Sequence, residues 1–429
     1  MTSSKKLGIS ALVAIVIVAA LYIFGMLYSR HLFFSHLDQA LDDLEQEHGI
    51  TLEKKDVSKG FFSSTFTLEG SLSMDSPDDL TLQAPLVAHH GIFSSSVDGS
   101  PVLRLQGKKL FSELLQADEE PRIDANFSTL SSRYHVHLDL PDSSLTDNGS
   151  TAHTHGLRIN IDGSAKSKHI DTAVEWQQLG LQDTSNSVVL GPGSLHVNVP
   201  DRNTLAGSNT HFELESATLR KALLGSIEVK DIHYADHYDR GDDGLDWHGE
   251  YHIGSVLRSD QELGSSNVKL SVARLDEQAL LALIRHKATA SNTTEDSNSE
   301  GDDERAAAAQ QVSDINRLLS HSPLLTIEHF EVKSPLLSQP ISATGQLSVA
   351  GENITLSPQE ADDGVFSVLA QQFYQHASGH ITLTGLGGIL GNQPGENSTQ
   401  VEFNDGNISI NGEPLGGNPL DANPLPSLP

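Results

Sequence analysis

Hydrophobic and polar positions follow three rhythms along the chain. The first is a single uncharged block from Leu7 to Tyr28, reading LGISALVAIVIVAALYIFGMLY. At about 1.5 Å per residue such a block spans roughly 30 Å of hydrocarbon. Lys5 and Lys6 precede it, Arg30 follows it, and Tyr22 and Tyr28 lie toward its far end. A basic excess before the block orients the N-terminus inward, and the tyrosines suit a membrane interface. The pattern predicts a cytoplasmic segment 1–6, an uncleaved transmembrane helix 7–28 as the contact with a lipid bilayer, and a body beyond the membrane. A cleaved signal peptide fits less well. Its apolar core runs about 7–15 residues and closes on small residues, whereas Gly25-Met26-Leu27 carries bulky neighbours.

The second rhythm is helical. Phe33, Leu37, Leu41 and Leu44 recur at intervals of four and three with polar residues between them. This predicts an amphipathic helix over 30–48 that packs on the body or pairs with a second copy as a homodimer. Further helices are predicted near 274–287, through LDEQALLALIRH, and near 304–320, through Ala306 to Leu319. The acidic low-complexity run between them, 288–303, reads as a disordered loop. Within it Asp296, Asn298 and Glu300 precede Gly301 as in a calcium loop, but Ala307 stands where the bidentate Glu is required.

The third rhythm has period two and dominates residues 50–411. Phe62, Phe66, Leu68 and Leu72 share one face of a strand, and alternation recurs at 134–140, 157–163, 194–199, 226–232, 268–272, 346–349, 381–383 and 407–410. Short alternating strands between Gly, Asn, Asp and Ser clusters predict antiparallel pairing with one wet face. The expected fold is therefore mainly β with a few helices, an N-terminal transmembrane helix leading into an elongated antiparallel sheet. Gly412 to Pro429 should form an irregular Gly/Pro-rich tail.

Charge and cysteine content narrow the function. With 57 acidic against 27 basic residues the formal net charge is −30, which repels phosphate backbones and excludes a nucleic-acid partner. No cysteine is present, so disulfides and thiolate chemistry are excluded.

Short motifs carry a resemblance. Lys59-Gly60-Phe61-Phe62-Ser63-Ser64 follows the helix, and His90-Gly91-Ile92-Phe93 comes next; late strands lie around Leu325-Thr326-Ile327 and Asn404 to Gly412. With the N-terminal block in front, these residues resemble the YdgA-like family, bacterial inner-membrane-anchored envelope proteins without settled biochemistry. The motif residues are Gly60, Phe62, Ser63, Ser64, His90, Gly91 and Phe93. Val57, Ile92 and Ser94 depart from the family pattern, and 115–260 has no motif in common with it. The resemblance implies a single-pass inner-membrane protein with its bulk in the periplasm; it transfers no catalytic residue and no cofactor.

Among 21 histidines, His135/His137 and His153/His155 form H-x-H pairs whose side chains share a strand face. These four are the candidate metal ligands, with Asp139 or Asp246 available to complete a set. His248 and His252 are spaced for one face of a helix or strand, and Asp246-Trp247-His248 reads as an exposed turn able to touch a glycan. The chain has no G-x-S-x-G, H-E-x-x-H or P-loop. The reading is a membrane-anchored envelope binding or scaffold protein that holds a lipid-like ligand or an envelope protein on the apolar face of its sheet. An enzyme of envelope polymers and a homo-oligomeric structural protein are the alternatives.

Overall fold

The computed structural model describes residues 25–414 except 43–44, 46–50, 73–79, 106, 148, 222–224, 291–299, 352–353, 355, 357–374, 386–397 and 405. The chain divides into two compact units. Unit 1 is Met1–Leu181 with Pro200–Arg202 and Ser291–Thr294; unit 2 is Gln182–Val199, Asn203–Ala290 and Glu295–Pro429. Both are mainly β, and every pairing whose register is described is antiparallel.

The first described element of unit 1 is helix α1, residues 25–42. Strands β1 (Thr51–Lys59), β2 (Ser63–Leu72), β3 (Leu80–His90), β4 (Ser94–Gly99), β5 (Val102–Leu105) and β6 (Lys108–Lys109) follow. After a π-helical turn at Leu110–Leu114 come β7 (Arg122–Ser128), β8 (Arg133–Asp139), β9 (Ser143–Asp147), β10 (Ser150–His155), β11 (Arg158–Ser164), β12 (Ile170–Trp176) and β13 (Gln178–Gln182). The main ladder runs β1-β2-β3-β4-β7-β8-β11-β12. Its middle strands read small where the helix crosses: Ala84 and Ala88 on β3 are buried, and Phe66, Leu86, Val97 and Phe127 close around Phe33 and Phe34 of α1. Leu32 and Leu37 pack on the same cluster. Of the apolar stripe expected over 30–48, Phe33 and Leu37 lie against the sheet; Leu44 lies outside the described residues.

The chain is already helical at Gly25, the first described residue, and Met26 and Ser29 are buried. Residues 25–28, expected as the end of the transmembrane block, therefore belong to the packed helix; 7–24 lie outside the described residues. Among the described residues no helix is long and apolar enough to cross a membrane.

Unit 2 contains β14 (Asn186–Leu190), β15 (Gly193–Val199), β16 (Asn209–Lys221), β17 (Gly225–Arg240), β18 (Leu245–Arg258) and β19 (Gln261–Leu275), then helices α2 (Glu277–Ala290) and α3 (Glu300–Ser320). Strands β20 (Leu324–Lys333), β21 (Ile341–Val349), β22 (Ala377–Thr384), β23 (Ser398–Asn404), β24 (Asn407–Ile410) and β25 (Glu413–Pro414) complete it. From β16 to β25 each strand pairs with the next in sequence. Both β14 and β15 pair with β16 along its outer edge.

The α2 N-terminus is capped as its sequence suggests, with the Ala279 N–H donating to Asp276 Oδ1 at 2.7 Å. Val312, Ile315 and Leu319 of α3 pack with Val349, Ile354, Leu356 and Leu283. The two helices reach into the run expected to be a loop over 288–303; its centre, 291–299, lies outside the described residues, as does the tail beyond Pro414. Asp246-Trp247-His248, expected in a turn, is in β18, where the alternation of pairs with β17 holds it extended.

This packing sets a stability contrast. Phe66→Ala, which empties a site 2% exposed, should cost about 3–5 kcal/mol in urea unfolding of the full chain. Phe62→Ala, at a site 62% exposed, should stay within about 0.5 kcal/mol of wild type.

Candidate functional site

The motif residues meet at one place. Gly60-Phe61-Phe62-Ser63-Ser64 and Gly91-Ile92-Phe93-Ser94-Ser95 form the same turn twice, once between β1 and β2 and once between β3 and β4. Each glycine is needed for close approach: a Cβ on Gly60 would lie 2.4 Å from the Ser63 carbonyl oxygen, and one on Gly91 3.0 Å from that of Ser94. Each turn leaves its second apolar residue, Phe62 or Phe93, exposed and buries its last serine.

Those two serines share one histidine. Ser64 Oγ lies 2.9 Å from His90 Nε2, and Ser95 Oγ lies 3.1 Å from His90 Nδ1. The ring is 5% exposed and stands 5.9 and 6.1 Å from the rings of Phe33 and Phe34. Ser29 Oγ reaches Ser95 Oγ at 3.4 Å, and Arg30 donates to the Gly60 carbonyl at 2.9 Å. Burial pushes the His90 pKa down, assisted by the positive charge of Arg30 and by His89. A neutral imidazole with both nitrogens occupied, between serines 1% exposed, ties the two turns together against Phe33 and Phe34 of α1. It has no open side for a substrate. Ser63 faces His89 across β2 and β3.

The four candidate metal ligands do not converge as a set. His135 Nδ1 contacts Asp162 at 2.9 Å, and His137 lies between Asn160 at 2.6 Å and Asp139 at 3.0 Å. The hydrogen bond to Asn160, with a smaller contribution from Asp139, raises the His137 pKa, which favours a proton where a metal needs a free lone pair. His155 Nδ1 contacts Asp142 at 2.5 Å, and the His153 ring covers Gly180.

A different set gathers on the polar face of unit 2. Register places His196 opposite His211, His233 opposite His252, and His237 opposite His248. His237, Asp239 and His248 hold their ligand atoms within 4.8 Å of one another. The rings of His237 and His248 stack at 4.8 Å and 13°, and His248 Nδ1 is 3.8 Å from Glu328. Two imidazoles and a carboxylate are three of the four donors of a tetrahedral zinc site, here open to water on a strand surface. Sequence spacing pointed to His248 but not to its partner, which only the β17–β18 hairpin register supplies.

The family described as bacterial protein of unknown function (DUF945) matches residues 4–361. The chain belongs to that family. The DUF945 match takes in 115–260, which has no short motif in common with the YdgA-like pattern, and stops before the late strands around 404–412. No curated protein and no solved structure matches the chain.

The buried imidazole gives this site a pH signature. Its folded pKa lies below the usual 6.5, so below that pH the unfolded chain binds the proton more readily than the folded one. Its contribution to stability is complete above about pH 6.5 and declines as pH falls through that value. Urea midpoints measured at about pH 7.5 and about pH 5.5 should fall on acidification in wild type and fall less in His90→Gln. An unchanged fall in the variant would contradict the role given to His90.

Proposed function

We propose that the chain is a binding or scaffold protein of the bacterial envelope, anchored in the inner membrane through the uncharged run 7–24 of the block 7–28, with residues 1–6 cytoplasmic and both units in the periplasm. The uncharged block, the basic residues before it and the resemblance to the YdgA-like family support the location. The proposed binding surface is the apolar face of unit 2, and its occupant a lipid-like ligand or an apolar patch of an envelope protein.

One observation carries this reading. Leu195, Phe212, Tyr234, Tyr251, Val268, Phe330, Ala343 and Leu383 follow one another across the sheet as direct cross-strand partners. A second row, Tyr238, Trp247, Val272, Leu325 and Leu347, runs beside it on the same face. The α2–α3 pair covers the end of that face at Val349. Farther along, Phe212, Tyr234, Val268 and Phe330 are only half-buried and Tyr251 is 37% exposed.

The rows are not purely greasy. Asp236 accepts from Tyr234 Oη at 2.7 Å, from the Thr210 N–H at 2.9 Å and from Trp247 Nε1 at 3.5 Å. Burial, and then the Asp236 hydrogen bond, push the Tyr234 pKa well above the ordinary phenol range. Such a surface offers ring faces to acyl chains around a fixed polar cluster, the usual composition of a ligand site.

The full chain purified in mild detergent should release a lipid on organic extraction, detected by mass spectrometry above a detergent-only control. Tyr251→Asp should reduce the yield while leaving the urea midpoint close to wild type. Wild-type protein without lipid above control would remove the lipid-ligand version. For location, protease should cut the body only after the outer membrane is opened; protection at that stage would remove the periplasmic placement.

A further inference from the structure

The pairs β1–β2, β3–β4, β7–β8 and β11–β12 all reverse at the same end of the unit 1 sheet. Ser94 is paired with Ser128, and Arg133 with Ser164, so the tips adjoin. The Thr129 N–H donates to the Phe93 carbonyl and the Ala165 N–H to the Ser132 carbonyl, each at 2.9 Å. Helix α1 enters at this end too: a Cβ on Gly25 would lie 2.6 Å from Ile92 Cγ2. The uncharged run 7–24 immediately precedes that glycine.

The composition of the tips is opposite to that of the rest of the chain. Phe62, Phe93 and Leu130 crown three of them, 62%, 58% and 75% exposed. The segments 59–63, 90–95, 128–134 and 164–170 contain Lys59, Arg133, Lys166 and Lys168 and no Asp or Glu. This occurs in a chain of net charge −30. Beside the tips, Arg202 donates its N–H to the Lys168 carbonyl, and its neighbour Asp201 offsets its charge. Leu27 and Tyr28 of the first turn of α1 are exposed as well.

Isolated apolar residues on a surface need no explanation. Here two sit at the same position of a repeated turn, a third crowns the adjoining tip, and all lie at the sheet end where Gly25, the residue after the uncharged run 7–24, meets Ile92. We infer that this end of unit 1 rests on a lipid surface, with Phe62, Phe93 and Leu130 inserted at the boundary of headgroups and acyl chains and the basic residues against anionic phosphates. Aromatic rings favour that boundary, and basic residues near it are drawn to anionic headgroups. The occupant is lipid rather than protein because the adjoining chain has the length and apolarity of a bilayer span. The inference rests on the anchoring proposed above.

The absence of cysteine makes the test direct. Single-cysteine versions of the full chain, Phe62→Cys, Phe93→Cys, Leu130→Cys, Ala14→Cys in the apolar run and Ser100→Cys at the opposite sheet end, are labelled with a polarity-sensitive fluorophore. They are reconstituted into phosphatidylcholine vesicles with and without phosphatidylglycerol, with headgroup-proximal doxyl lipid as quencher. The expected result is blue-shifted, quenched emission at 62, 93 and 130, none at 100, and a loss of any phosphatidylglycerol-dependent gain on adding Lys166→Glu and Lys168→Glu.

Quenching at 14 without quenching at 62, 93 and 130 overturns the lipid contact and leaves the anchor standing. No quenching at any of the four overturns both. Quenching at the tips but not at 14 supports the contact and overturns the anchor. Equal quenching at 100 and at the tips also overturns the contact, since both ends of the sheet would then meet lipid alike.

Discussion

A buried imidazole held neutral between two serines is the constraint on which unit 1 depends. The sheet offers α1 a floor of small residues, Ala84 and Ala88, and α1 returns Phe33 and Phe34. Hydrophobic packing alone would tolerate sliding, because apolar contacts are non-directional. The directional link from α1 is the Ser29 hydroxyl on that of Ser95, which His90 holds in turn; removing Ser64 or Ser95 would leave a buried imidazole nitrogen unpaired at a cost of about 1–3 kcal/mol. The Arg30 contact with the Gly60 carbonyl adds a second fixed point at the same end. Together they set the position of the helix along the sheet and therefore where the chain enters the fold.

Unit 2 meets the same problem differently. Its ladder is wider than the described helices α2 and α3, which gather at one end, around Val349. The rest of the apolar face carries aromatic rings, which tolerate partial exposure when a polar group such as Asp236 satisfies their hydroxyl or indole donors. The opposite face carries histidines against carboxylates, His211 with Glu213 at 3.0 Å and His237 with Asp239 at 3.2 Å. One sheet thus has two chemically distinct surfaces because every second residue points the other way.

The strands legible in the sequence are those with clean alternation, such as β2, β8, β11 and β15. Those missed have a physical reason. Strand β1, TLEKKDVSK, is polar and exposed over most of its length, so no stripe marks it. Pro85 interrupts the reading of β3, β16 places Thr210 on the apolar face, and β17, legible at 226–232, carries Asp236 on that face farther along. The motif residues were legible as motifs, but their meeting point was not. His90 lies 26 residues from Ser64, and only the β2–β3 and β3–β4 registers bring both serines to it. A signal was nonetheless present, since Gly-x-Phe-Ser-Ser occurs twice. The histidine pairs suffered the converse: spacing within a strand put side chains on one face, whereas the closest grouping forms between strands.

The fit of Gly25 against Ile92 bears on how force and orientation pass between the two halves of the molecule. A globular domain usually hangs from its membrane segment by a pliable tether, free to tumble. Here the chain is wedged against the sheet from its first described residue. With the anchoring proposed above, a tilt of the span would become a tilt of unit 1. Unit 1 would behave as a post set rigidly in its base.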